Sequence, residues 1–135
     1  MSKSAIYTAN TSTQSVDVNG VINPGTVVRR YGPNLILSGN AIQICGSGYY
    51  DVDASITIAP SAIGNVTVTM LKDGVAVQGA SATSSVTTAN NPINLSISSV
   101  VREFCNCFEG VSNLTFVLTG TAAAISNVSI VVQKL

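Results

Sequence analysis

The chain reads as an all-β protein of antiparallel sheets, and three features of its 135 residues say so. Apolar side chains recur with a period of two in segment after segment, the spacing that sets them on one face of a strand. Turn-forming residues, including all four prolines, fall between those segments and not inside them. No stretch keeps apolar residues three and four apart for long enough to make a helix. Short strands with turns at intervals of roughly 8 to 12 residues are the pattern of a sandwich or barrel.

Each element follows in chain order. Residues 1–15 are polar and rich in Ser and Thr, the composition of an N-terminal arm or a first edge strand, which leaves 16–135 as a single β-sandwich domain. Val16 and Val18 alternate with polar neighbours before an Asn19-Gly20 turn, and Asn23-Pro24-Gly25 leads into Thr26-Val27-Val28-Arg29-Arg30-Tyr31. Two short runs, Leu35-Ile36-Leu37 and Ile42-Gln43-Ile44, are divided by Ser38-Gly39-Asn40. Along 48–59 one face collects Tyr50, Val52, Ala54, Ile56 and Ile58, and the other Tyr49, Asp51, Asp53, Ser55, Thr57 and Ala59. Val66, Val68 and Met70 alternate with Thr67, Thr69 and Leu71; the following Asp73-Gly74 predicts a two-residue hairpin, since both central positions of a type I′ turn need positive φ. Ile93, Leu95 and Ile97 form another strand face, and Leu114, Phe116 and Leu118 a further one. Between them, 99–104 is the only stretch that offers a helical turn.

The last run differs. Val128-Ser129-Ile130-Val131-Val132 is apolar on both faces, so it belongs in the middle of a sheet, covered above and below. A chain whose final strand lies in mid-sheet is no simple meander, and a Greek-key or jelly-roll winding supplies that placement. One side of the strand packs the internal core. The other wants a second protomer, which makes Val128, Ile130, Val131 and Val132 the expected subunit-interface residues.

Composition narrows the function. Six basic and six acidic residues cancel, and charged residues are only 9% of the chain. Nucleic acid and anionic membrane both require clustered Lys and Arg, so neither is an expected partner. A thinly charged surface gives a lone monomer little protection against association, which points to copies of the same chain. No segment approaches the roughly 18 to 20 apolar residues of a membrane span, and the N-terminus lacks the apolar core of a secretory signal. Synthesis in the cytoplasm without a signal peptide is therefore expected, and the five Asn-x-Ser/Thr matches carry no glycosylation meaning.

Residues able to do chemistry are few. Three cysteines, Cys45, Cys105 and Cys107, are an odd number, and in a cytosolic product this argues for reduced, mostly buried thiols. Cys105-Asn106-Cys107 resembles half of a soft-metal site, but the chain has no histidine, and apolar filling is the expected role. The same absence excludes Ser-His-Asp and Cys-His catalysis. Asp51 and Asp53 share a strand face about 7 Å apart, near the separation of paired carboxyls in inverting glycosidases. Their neighbours are Ser55 and Thr57, there is no tryptophan, and nothing desolvates either acid, so a solvated or interface-facing strand side is expected over catalysis or calcium binding. Arg29 and Arg30, followed by Tyr31, point to opposite faces of one strand and do not form a single patch; either is a candidate ligand or interface contact. No catalytic residue, cofactor or metal site is expected.

The order of segments resembles the C1q/TNF-like jelly-roll family. The likeness rests on Ile42-Gln43-Ile44 followed by Gly48-Tyr49-Tyr50-Asp51-Val52-Asp53, on the hairpin Val68-Thr69-Met70-Leu71-Lys72-Asp73-Gly74-Val75-Ala76-Val77-Gln78-Gly79, and on the closing Val128-Ser129-Ile130-Val131-Val132-Gln133-Lys134-Leu135. It covers roughly residues 40 to 135. The resemblance implies a compact homotrimer packed through sheet faces and, for bacterial and phage members, a surface module: a capsid decoration, a head fibre, an appendage knob or a spore-coat tip. The leading expectation is thus a non-enzymatic structural or adhesive protein on a virion or particle surface, within a larger assembly. The alternatives are a spore-surface jelly-roll module and a carbohydrate-binding module in which Tyr49, Asp51 and Asn90-Asn91 grip a host glycan.

Overall fold

The computed structural model describes residues 3–104 and 110–135 and contains eleven β-strands. They are β1 (Ala5–Asn10), β2 (Gln14–Val16), β3 (Thr26–Tyr31), β4 (Leu35–Ser38), β5 (Ala41–Ile44), β6 (Gly48–Pro60), β7 (Gly64–Lys72), β8 (Val75–Val86), β9 (Ile93–Glu103), β10 (Ser112–Thr119) and β11 (Ala123–Lys134). One sheet runs β3-β1-β11-β6-β9, with β2 added to β11; the other runs β4-β5-β10-β7-β8. All pairings are antiparallel. Successive strands change sheet repeatedly, the jelly-roll winding, and β11 does lie in mid-sheet, between β1 and β6.

The period-two pattern explains the core. Tyr50, Val52, Ala54, Ile56 and Ile58 of β6 face inward, as do Val66, Val68 and Met70 of β7 and Leu114, Phe116 and Leu118 of β10. Together with Ile42 and Ile44 they form one continuous hydrophobic cluster between the sheets. The Asp73-Gly74 hairpin forms as expected, with φ of 52° and 82° at the two turn residues. Gly25 (φ 91°) turns the chain into β3 where a Cβ would meet the carbonyl oxygen of Ala9 at 2.1 Å, so the position admits no side chain.

Four expectations are corrected. Residues 5–10 and 14–16 are not an arm ahead of the sandwich: β1 pairs on both sides, and the edge belongs to β3. Inward Ile6 and Thr8 hold β1 in place, a pattern masked by the polar threonine. The stretch 99–104 is not helical but lies mostly in β9, paired to β6 from Gly48↔Glu103 onward. Val128, Ile130 and Val132 are all buried in the protomer's own core, at 0%, 1% and 0% exposure, so of the four expected interface residues only Val131 lies on the outer side. Finally, Cys45 is half-buried and disulfide-bonded, not a reduced thiol; Cys105-Asn106-Cys107 lies outside the described residues.

A polar cluster pins one end of the sandwich. Ser4 Oγ donates to Asn34 Oδ1 at 2.7 Å, and Asn34 Nδ2 donates to the Cys45 carbonyl at 2.7 Å. Tyr50, fully buried, donates its hydroxyl to the carbonyls of Gly46 (2.8 Å) and Cys45 (3.2 Å). Burial, with a smaller push from the Glu103 carboxylate, raises the Tyr50 phenol above its ordinary pKa. No helix among the described residues is long and apolar enough to cross a membrane.

Candidate assembly interface

The outer face of the β3-β1-β11-β6-β9 sheet collects the residues singled out from sequence. Alternation along β6 sends Tyr49, Asp51 and Asp53 to this side, Asp53 exposed and Asp51 half-buried. Arg29 pairs with Tyr7 of β1 and shares its outward side. Arg30 pairs with buried Ile6 on the opposite side, and its Nε donates to the Leu35 carbonyl at the rim of the other sheet. The two arginines therefore diverge, as the strand geometry requires.

The two aspartates are not held in one cleft. Asp53 borders a shallow depression of about 340 Å³, shared with Ser55, Ser96, Ser98, Ser129 and Val131, while Asp51 lies outside it. Ser98 Oγ donates to Asp53 Oδ1 at 2.8 Å, a hydrogen bond across β6 and β9. Nearby, Asn94 bridges Ser55 and Thr57 through its Nδ2 at 3.1 and 3.3 Å. Hydroxyls and amides thus tie this half of the face together. Among the described residues no group of three or more His, Cys, Asp or Glu side chains could hold a metal ion.

A second depression of about 370 Å³ lies on the other side of Val131, lined by Ala5, Ile6, Tyr7, Arg29, Tyr31, Val131 and Gln133. Its aromatic walls are open to solvent: Tyr31 is 60% exposed and Tyr7 36%. At one corner of the face Tyr49 stands directly opposite Arg102 of β9. The Arg102 guanidinium lies over the rings of Tyr49 (5.2 Å) and Phe104 (4.5 Å), the geometry of a cation–π stack. Val100, exposed on the same side of β9, and Leu135, whose N–H donates to the Tyr49 carbonyl, extend the cluster.

Sequence reasoning missed Tyr7, Tyr31, Val100, Arg102, Phe104 and Leu135 as members of this face. The signal was there for two of them: Tyr31 ends the run Val27-Val28-Arg29-Arg30-Tyr31, and Val100 breaks the alternation of β9. The other grouping, Tyr49 and Asp51 with Asn90-Asn91, does not form. Tyr49 pairs near the end of β9 whereas Ile93, next to the Asn90-Asn91 loop, pairs with Ile58, nine residues and about 30 Å along β6.

No protein-family profile matches the chain, and no curated protein matches it either. Solved structures do. Murine APRIL superposes with a TM-score of 0.75 at 12% identity, covering 98% of this chain and 99% of that one. The globular domain of zebrafish complement 1qA protein gives 0.67 at 7% identity, covering 97% and 94%. The vertex protein P5 of phage PRD1 gives 0.62 at 18% identity, covering 98% and 96%. Near-complete coverage on both sides at these TM-scores, together with this chain's two antiparallel sheets, establishes that it has the C1q/TNF-like jelly-roll fold.

Proposed function

We propose that this protein is a non-enzymatic structural and adhesive module that works as a homotrimer on the surface of a phage particle, as a capsid decoration, head fibre or appendage knob. One observation carries the reading: the exposed Tyr7, Tyr31, Tyr49 and Val100 and the half-buried Val131 lie on one sheet face, not in a pocket that would enclose a substrate. Apolar and aromatic groups exposed on one sheet face serve association. The charge deficit supports it, because a chain with 9% charged residues does little to repel its own copies. Likeness to a phage vertex protein supports the particle surface, and likeness to the C1q and TNF-type domains supports assembly through sheet faces.

The trimer is tested by light scattering at micromolar concentration. The reading expects three times the chain mass of 13.8 kDa; a clean monomer mass contradicts it. Site on the particle is tested by the neighbouring genes: capsid and tail genes agree with a virion role, whereas spore-coat genes move the module to a spore surface. A carbohydrate-binding role retains one supporting feature, the solvent-facing Tyr49 ring backed by Arg102. A glycan array without a binder at high protein concentration removes it.

A further inference from the structure

The charges on the outer sheet face lie in an order that a single copy does not use. Strand register places Arg29 (β3), Tyr7 (β1), Val131 (β11), Asp53 (β6) and Ser98 (β9) in one row across the sheet. The adjacent row runs Tyr31, Ala5, Gln133, Asp51 and Val100. Each row therefore starts with a hydrogen-bond donor on the edge strand and carries a carboxylate three strands away, at about 14 Å for neighbouring strands 4.8 Å apart. That gap is too wide for contact within a copy, and among the described residues no ion pair engages Arg29, Asp51 or Asp53.

The Asp53 depression has the chemistry of a guanidinium site. A guanidinium presents five N–H donors and accepts nothing. The well offers a carboxylate with Ser55, Ser96, Ser98 and Ser129 around it and Ala54, Ile97 and Val131 as apolar walls for the side-chain stem, and the Ser98 hydrogen bond fixes how the carboxylate is held. Of the two exposed arginines on this face, Arg102 is stacked on Tyr49 and Phe104, and Arg29 stands on the edge strand β3. We propose that Arg29 of a neighbouring copy enters the Asp53 depression, and that Tyr31 of that copy meets Asp51 in the adjacent row. This rests on the homotrimer reading and names the contacts that hold the trimer together.

The arrangement also permits closure. Donor half and acceptor half stand side by side on one face, so a copy that gives Arg29 to one neighbour still offers Asp53 to another. Head-to-tail contacts of this kind close into a three-membered ring when each copy is turned a third of a full rotation from the last. Tyr7 and Val131, between the two halves, are covered as the copies meet, and the excluded water raises the worth of the charge pair above that of an exposed one.

Charge reversal tests the pairing. Arg29→Asp and Asp53→Arg are made singly and together, and self-association is followed by sedimentation over a dilution series, with far-UV circular dichroism to confirm the fold. Both positions are exposed in the single copy, so folding is retained. Each single variant is expected to raise the dissociation constant by about thirtyfold or more, and the double variant to return it to within a few-fold of the parent. A parent trimer whose single variants dissociate unchanged, or whose double variant is no tighter than the singles, overturns the pairing and leaves the trimer standing. A monomeric parent overturns the trimer itself, and a dimeric parent overturns the ring. Arg29→Gln and Asp53→Asn, which remove charge without reversing it, must weaken association in the same direction if the pairing is right.

Discussion

Replacing Ile130 with alanine separates the interior of the protomer from its outer face. Ile130 is 1% exposed, and its register partners on the two flanking strands are Thr8 of β1 and Ala54 of β6. Both are short, so neither can swing into the space left behind. The substitution removes three methyl or methylene groups, worth about 2.4 kcal/mol at ~0.8 kcal/mol each, and the unfilled cavity brings the total to about 4 kcal/mol. With a urea dependence near 2 kcal/mol/M, the midpoint falls by about 2 M. The measurement is urea unfolding followed by circular dichroism at two protein concentrations a hundredfold apart, because association adds a concentration-dependent part to apparent stability. Ile130→Ala is expected to lose the same amount at both. Val131→Ala, one residue on and half-buried on the opposite side, is expected to cost below about 1 kcal/mol of intrinsic stability and to reduce the concentration dependence. A loss under about 1 kcal/mol for Ile130→Ala, or a loss that tracks concentration as an interface residue's does, refutes the placement.

Three further outcomes follow from single residues. Thr8 is completely buried and its Oγ1 has no hydrogen-bond partner among the described residues, so the isosteric Thr8→Val is expected to be as stable as the parent or more so, by about 1 kcal/mol in urea unfolding. Gly25→Ala places a Cβ against the Ala9 carbonyl at a positive-φ position and is expected to cost more than about 2 kcal/mol, with a lowered thermal midpoint. The Tyr50 phenol has a folded pKa above its unfolded value of 10.0 because of burial first and the Glu103 charge second. Its contribution is therefore complete below pH 10.0 and is lost as pH rises through the folded value, and Tyr50→Phe is expected to flatten the alkaline decline in stability measured by pH-dependent unfolding.

Much of the winding was legible because single-residue alternation has a direct physical meaning. The inward set of β6 and the Asp73-Gly74 turn follow from side-chain period and turn dihedrals alone. The terminal strand showed its mid-sheet place through Val128-Ser129-Ile130-Val131-Val132, yet its two apolar sides were unequal: Val128, Ile130 and Val132 are core, and only Val131 looks out. What the alternation hid were strands with a polar residue turned inward. Thr8 in β1 and Glu103 in β9 are both buried, and each made a true strand resemble something else, an arm in one case and a helical turn in the other. The candidate face was legible only in part, since Arg29, Asp51 and Asp53 are local facts, while their common rows with Tyr7, Val131 and Ser98 depend on which strands become neighbours.

The central position of β11 sets the order in which this protein can be made. On the ribosome β1 and β6 emerge before β11, the strand that stands between them and bonds to both. The nascent chain therefore carries an open slot until β11 has been made. A premature stop codon before Ala123 yields a product with the slot unfilled, fit for proteolysis and not for assembly.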